Sequence, residues 1–211
     1  MKSTLKKWIS VVLAMLLITT SLEVILSYPT VGLAADTNKT KEGSAMFESA
    51  SKSNTNLTGW QVKGNGTMED TDQGLLLTSE PKENVMAISS VTSENFIYEA
   101  DVKLIDKNAD ATLVFRSNED GWDSYMLQIV PSAGIIRLRD ARDENRLKAE
   151  YPVTLQEGGI YHLKVIVVED HIKVYWGNQY APIIDVHNAA YEKGFLGLNV
   201  WGGAALFQNI K

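Results

Sequence analysis

The 211-residue chain contains no cysteine, so neither a disulfide framework nor a thiolate zinc site can form. It has three histidines, His162, His171 and His187, at spacings that match no zinc pattern. Basic charge is short: 20 Lys and Arg stand against 26 Asp and Glu, a formal net charge of −6. Such a balance suits nucleic acid poorly, because phosphates attract basic surfaces. Long apolar runs are missing too. The run from Trp8 to Ile18 falls short of the ~20 apolar residues that span a bilayer. No internal repeat or low-complexity block is present. Beyond the first 34 residues, no stretch of ten or more keeps a helical period.

What is there begins with a leader. Lys2, Lys6 and Lys7 precede the apolar run, and the small residues Gly32, Ala34 and Ala35 follow it. That is the layout of a secretory signal with its cleavage site. We therefore expect residues 1–34 to be removed, leaving an extracellular chain of net charge about −8 with no membrane segment. Residues 35–45 are polar and aperiodic and read as a flexible lead-in. Residues 46–211 are expected to form one domain. Without disulfides it must rest on a sizeable core, which a hydrophobic content of 45% suits.

Alternation marks the strands. Phe96, Tyr98, Ala100, Val102 and Leu104 share one face, with Ile97, Glu99, Asp101 and Lys103 on the other. Leu113 and Phe115 point inward against Thr112, Val114 and Arg116; Leu127 and Ile129 do so against Met126 and Gln128. Ile136 and Leu138 alternate with Arg137 and Arg139. A short apolar run follows Gly74. Tyr161 to Val168 and His171 to Trp176 are joined by Glu169-Asp170, a hairpin signal. Phe195 to Trp201 and Ala204 to Ile210 are expected to pair through Gly202-Gly203. Antiparallel strands with one apolar face must pack as two sheets, so the fold class is all-β, a β-sandwich.

By parity, Glu99, Arg116, Gln128, Asn199 and Trp201 lie on the side of their strands away from the core. An outward Trp beside a Gly pair has little to pack against unless something docks there. Sugar recognition needs this mixture: an aromatic face for the C–H patch of a ring, and planar donors and carboxylate acceptors for pairs of hydroxyls. Arg116 and Glu99 would form such a donor and acceptor if their strands are neighbours, and Gln128 can do both. A structural ion pair on a solvated sheet face is the plainer reading of the same residues.

The segments Asn95-Phe96-Ile97-Tyr98-Glu99-Ala100-Asp101-Val102, Leu113-Val114-Phe115-Arg116-Ser117, Tyr161-His162-Leu163-Lys164 and Gly197-Leu198-Asn199-Val200-Trp201, with Phe207-Gln208-Asn209, resemble the family 66 carbohydrate-binding modules. The resemblance runs from about Leu57 onward. Those modules accompany levanases of glycoside hydrolase family 32. The resemblance implies a concanavalin-like jelly-roll β-sandwich of two antiparallel sheets that binds β-fructans at the terminal fructose. It also implies a family 32 catalytic domain as partner. It supports Arg116 and Trp201 best as sugar contacts, with Glu99 and Gln128 carried by parity. Glu83, Asp123 and Tyr125 are rim candidates, although Tyr125 has core parity. Levan, inulin and other extracellular polysaccharides all fit such a set.

Catalysis is not expected. A glycosidase needs two carboxylates at a set separation, one with a raised pKa, and no acid in the sequence stands out in an apolar setting. Fructan-hydrolase signatures are absent: there is no Asn-Asp-Pro, Ala141 follows Arg139-Asp140, and a Glu-Cys pair is impossible. The glucanase pattern Glu-x-Asp-x-x-Glu fails at Leu104. No cofactor is expected. Asp106, Asn108 and Asp110 alternate on a loop and could hold a structural calcium ion, but the loop lacks the turn glycine. The competing function is a structural sandwich that packs against a catalytic domain and binds nothing itself.

Overall fold

Alternation of apolar and polar side chains builds two sheets that bury their apolar faces against each other. The computed structural model describes residues 59–211 apart from Glu157. The leader and lead-in expected at residues 1–34 and 35–45 lie outside the described residues. The first sheet runs, in spatial order, β1 (Trp60–Gly64), β4 (Asn84–Ser93), β13 (Gly194–Trp201), β6 (Asp110–Ser117), β7 (Tyr125–Val130), β8 (Ile135–Asp140) and β9 (Lys148–Pro152). The second runs β12 (Ile184–His187), β11 (His171–Trp176), β10 (Ile160–Val168), β5 (Phe96–Leu104), β14 (Ala204–Gln208), β3 (Gly74–Ser79) and β2 (Gly66–Thr71). All pairings are antiparallel. The fold is thus the concanavalin-like jelly-roll β-sandwich expected. Its edge strands, β1, β9, β12 and β2, have four to six residues each.

The core sits where the inward sets meet. Tyr98, Ala100, Val102 and Leu104 of β5 face Leu113 and Phe115 of β6, Leu127 and Ile129 of β7, and Leu198 and Val200 of β13. Each is at most 2% exposed. Burying a side chain of the Val, Leu or Phe class stabilises by roughly 1.5–3 kcal/mol, so these strands hold the sandwich without disulfides. The one polar atom deep among them is satisfied: the Tyr98 hydroxyl donates to the Gly197 carbonyl at 2.9 Å.

Two features depart from the expected pattern. β13 and β14 do not pair. The Gly202-Gly203 corner, with φ of 73° and 159°, carries the chain from one sheet to the other. β4 shows no alternation because both its faces are covered: Val85 and Ala87 enter the main core, while Met86 and Ile88 join Val114 and Met126 in a second apolar cluster on the outer face. There Gly121 lies close enough to Met86 that a Cβ would stand 2.8 Å from its side chain. The β6–β7 loop therefore folds over that half of the face.

Candidate functional site

The residues singled out by parity separate into three places. Glu99 sits on β5 of the second sheet, opposite Lys164 and 3.7 Å from His162 and 3.9 Å from the Lys211 ammonium. β6, which carries Arg116, belongs to the first sheet. The expected Arg116–Glu99 pair is therefore not formed. Period-2 parity fixes which face of a strand is apolar but not which sheet the strand joins.

Arg116 also leaves the outer face. The register of β13 against β6 shifts between Phe195 and Gly197, so that Phe115 and Arg116 together face Leu196. Arg116 takes a left-handed φ of 49°. A bulge of this kind re-aims its side chain. The guanidinium, 2% exposed, closes one end of the sandwich. Its Nε and Nη2 donate to the Glu94 carbonyl at 3.2 and 2.7 Å, Nη2 also to Glu169, and Nη1 to Tyr191 at 2.8 Å. Four of its five N–H donors are spent on three backbone carbonyls.

Tyr125 and Asp123 belong to the same end. Tyr125 is fully buried; its hydroxyl donates to Asn188 and accepts from the Tyr191 amide at 3.2 Å. Asp123 pairs with Arg142 at 2.5 Å. Beside them lies Asp140, also fully buried. Its Oδ1 accepts from the amides of Arg142 and Asp143, from Arg146 Nη2 and from the Tyr191 hydroxyl, at 2.9 to 3.2 Å. Burial, with this carboxylate as acceptor, pushes the Tyr191 phenol up to about 12. The cluster is a clasp on the β8–β9 and β12–β13 loops, with Asp140 Oδ2 making no hydrogen bond among the described residues but lying 3.0 Å from Arg146 Nε.

Gln128 and Trp201 lie on the outer face of the first sheet, in adjoining rows. Cross-strand register places Asn199, Thr112, Gln128, Arg137 and Glu150 side by side on five successive strands. In the next row Trp201 faces Asp110 on one side and Asn84 on the other. Trp201 is 39% exposed, and the Glu83 carbonyl accepts from the next amide, Gly202, at 3.0 Å. Glu83 is thus at the rim beside the indole. The donor and acceptor on neighbouring strands exist here as Arg137 and Glu150, 2.9 Å apart. Arg139 Nε donates to Gln128 Oε1 at 2.9 Å, and the Asn199 amide donates to Asn84 and to the Val85 carbonyl.

Asp110 is the acid that stands out. Burial pushes its carboxyl up to about 6, against the pull of Arg137 and Arg139, which corrects the expectation that no acid occupies such a setting. Asp110 Oδ1 and Thr112 Oγ1 are buried without a hydrogen-bond partner among the described residues. Alternation had marked Thr112, Arg137 and Arg139 as outward; Asp110 was hidden because it opens a strand and reads as loop. Among the described residues no three His, Asp or Glu side chains are grouped to hold a metal. Asp106 instead accepts the Ala204 amide at 2.9 Å.

This arrangement has relatives. The chain is 54% identical over 171 residues to a levanase of Bacillus sp. (strain L7), a match covering 81% of this chain and 19% of the levanase. It is 30% identical over 158 residues to the levanase of Bacillus subtilis (strain 168), covering 74% of this chain and 23% of that protein. The chain thus spans about a fifth of the length of these relatives. Among solved structures it superposes on carbohydrate-binding module CBM66 from Bacillus subtilis with a TM-score of 0.63 and 29% identity, over 74% of this chain and 95% of that one. The resemblance to family 66 modules read from the sequence therefore holds. A family model described as the 3-keto-alpha-glucoside-1,2-lyase-like domain matches residues 46–211, and the chain belongs to that family.

Proposed function

We propose that this chain is a non-catalytic carbohydrate-binding module that grips the terminal fructose of levan or a related β-fructan on the outer face of its first sheet. In that role it would be secreted and would bring a fructan-degrading catalytic domain to its substrate. The observation that carries the reading is the exposed Trp201 beside a register-aligned row of amides, an Arg and a carboxylate. An indole covers the apolar face of a sugar ring, while Arg137, Glu150 and Gln128 offer donors and acceptors for its hydroxyls. The similarity to two levanases and to CBM66 supports fructan as the sugar. One shallow site makes few desolvated contacts, so affinity falls in the micromolar to millimolar range, roughly −4 to −8 kcal/mol.

Calorimetric titration with levan, inulin and a β-glucan, with Trp201→Ala alongside, tests the reading. Heat with levan that falls at least tenfold in affinity in the variant is expected. Silence with all three polysaccharides would refute it and favour a packing domain or a different glycan. Release of reducing sugar from levan by the chain alone would refute the non-catalytic part.

A further inference from the structure

We infer that Asp110 and Thr112 form a hydroxyl-reading floor beneath Trp201, the part of the face that selects a neutral sugar ring by its O–H groups. The inference rests on the sugar-binding reading of the same face and adds residues and chemistry to it. Asp110 and Thr112 are two apart on β6 and point to the same side, about 7 Å apart along the strand. Cross-strand register puts Asp110 against Trp201 and Thr112 between Asn199 and Gln128. Thr112 is fully buried, and its Oγ1 and the Asp110 Oδ1 make no hydrogen bond among the described residues. Native proteins satisfy nearly all such atoms, so each one left over calls for a water, a ligand or a functional role. The third among the described residues, Asp140 Oδ2, faces Arg146 Nε at 3.0 Å, whereas these two face no charged donor at ion-pair distance.

The chemistry narrows the ligand. A cation is disfavoured because Arg137 and Arg139 act on Asp110, and an anion is disfavoured by the carboxylate itself. A neutral polar group remains. An ionised carboxylate only accepts, so the ligand must supply a donor hydrogen, which on a sugar is an O–H; the Thr hydroxyl donates or accepts as needed. Two such readers at this separation fit adjacent hydroxyls of one ring, with the indole against the ring's C–H side. A site built this way rejects a sugar lacking the hydroxyl more strongly than an apolar pocket rejects a missing methylene. Neither oxygen is open to solvent, so entry of a ring requires a long side chain to turn aside. Arg137, 22% exposed and tied through Nε to the half-exposed Glu150, is the side chain placed to do so.

The charged groups around Asp110 are Arg137 and Arg139 on β8, and behind them Glu150 and Lys148 on β9 and Glu144 in the β8–β9 loop. β13 and β7 contribute only neutral neighbours, Trp201, Asn199 and Gln128. Since burial holds the Asp110 carboxyl at about 6, its ionised fraction, and with it affinity, falls about tenfold from pH 7 to pH 5.

The test is titration of the chain with levan at pH 7.5 and pH 5 for wild type, Thr112→Val, Thr112→Ser, Asp110→Asn and Trp201→Ala, with near-ultraviolet circular dichroism as the folding control. We expect Thr112→Val and Asp110→Asn each to weaken binding about tenfold or more at pH 7.5, Thr112→Ser to restore it, and Asp110→Asn to abolish the pH dependence. Wild-type affinity in Thr112→Val and Asp110→Asn, with binding lost in Trp201→Ala, would overturn the floor while leaving the face as the sugar site. Wild-type affinity in all of them would overturn both. Equal wild-type affinity at the two pH values would overturn the part assigned to Asp110.

Discussion

Replacing Arg116 by Met separates a structural arginine from a sugar-binding one. Met keeps most of the apolar stem, so the change removes chiefly the guanidinium and its four hydrogen bonds to the carbonyls of Glu94, Glu169 and Tyr191. A hydrogen bond to a charged group contributes about 1.5–3 kcal/mol net. The sum cannot be taken at face value: Glu94 and Glu169 lie in exposed turns, where water replaces part of the loss. Removing a buried charge also relieves a desolvation cost. A loss of about 3–4 kcal/mol remains. For a domain of this size each kcal/mol shifts Tm by about 2–4 °C, so Tm falls by about 10 °C. Scanning calorimetry measures the shift, and urea unfolding should show a lower midpoint at unchanged slope. Levan affinity, measured well below both melting temperatures, should stay within about twofold of wild type. An unchanged Tm with lost levan binding would refute the reasoning and return Arg116 to the ligand-contact role suggested by the resemblance.

Asp140→Ala removes the acceptor shared by two amides, Tyr191 and Arg146. It should cost about 3 kcal/mol and speed proteolysis within the β8–β9 loop, with Asp140→Asn intermediate; equal cleavage rates in all three proteins would rule out the clasp. Asp110→Asn should act the other way on stability. The Asp110 carboxyl lies near 6 when folded against its ordinary 3.8, so the native state binds the extra proton between those values, and the charged form opposes folding above 6. The variant should therefore melt higher than wild type at pH 7.5, with the gap narrowing as pH falls through 6 and closing near 4. A gap that does not change with pH would disprove the assignment.

Alternation made most of the sandwich legible. The inward set of β5 is the core set in the structure, and Tyr125, which has core parity, is fully buried. Strands without alternation were silent. β4 is covered on both faces, and β9 and β12 are edges of five and four residues, too short to show a period. The site was only partly legible for a related reason. Gln128 and Trp201 reached one face because their strands are regular there, and Glu83 lies beside them in the loop that leads into β4. Glu99 went to the other sheet, which no local pattern encodes. Arg116 was turned inward by a bulge set by its partner β13, not by its own neighbours in sequence. Arg137 and Glu150 were invisible as a pair because β9 was not recognised as the strand beside β8.

The edges of the two sheets bear on how many copies can work side by side. An open strand is a template for another chain unless it is short, charged or interrupted. All four edges here meet that description: β9 carries Lys148, Glu150 and Pro152, β2 carries Glu69 and Asp70, β1 carries Lys63 and ends at Gly64, and β12 is four residues long with Asp185. Among the described residues, copies crowded along one polymer would find no open edge on which to zip together, so this domain can coat a polysaccharide densely without its sheets seeding an aggregate.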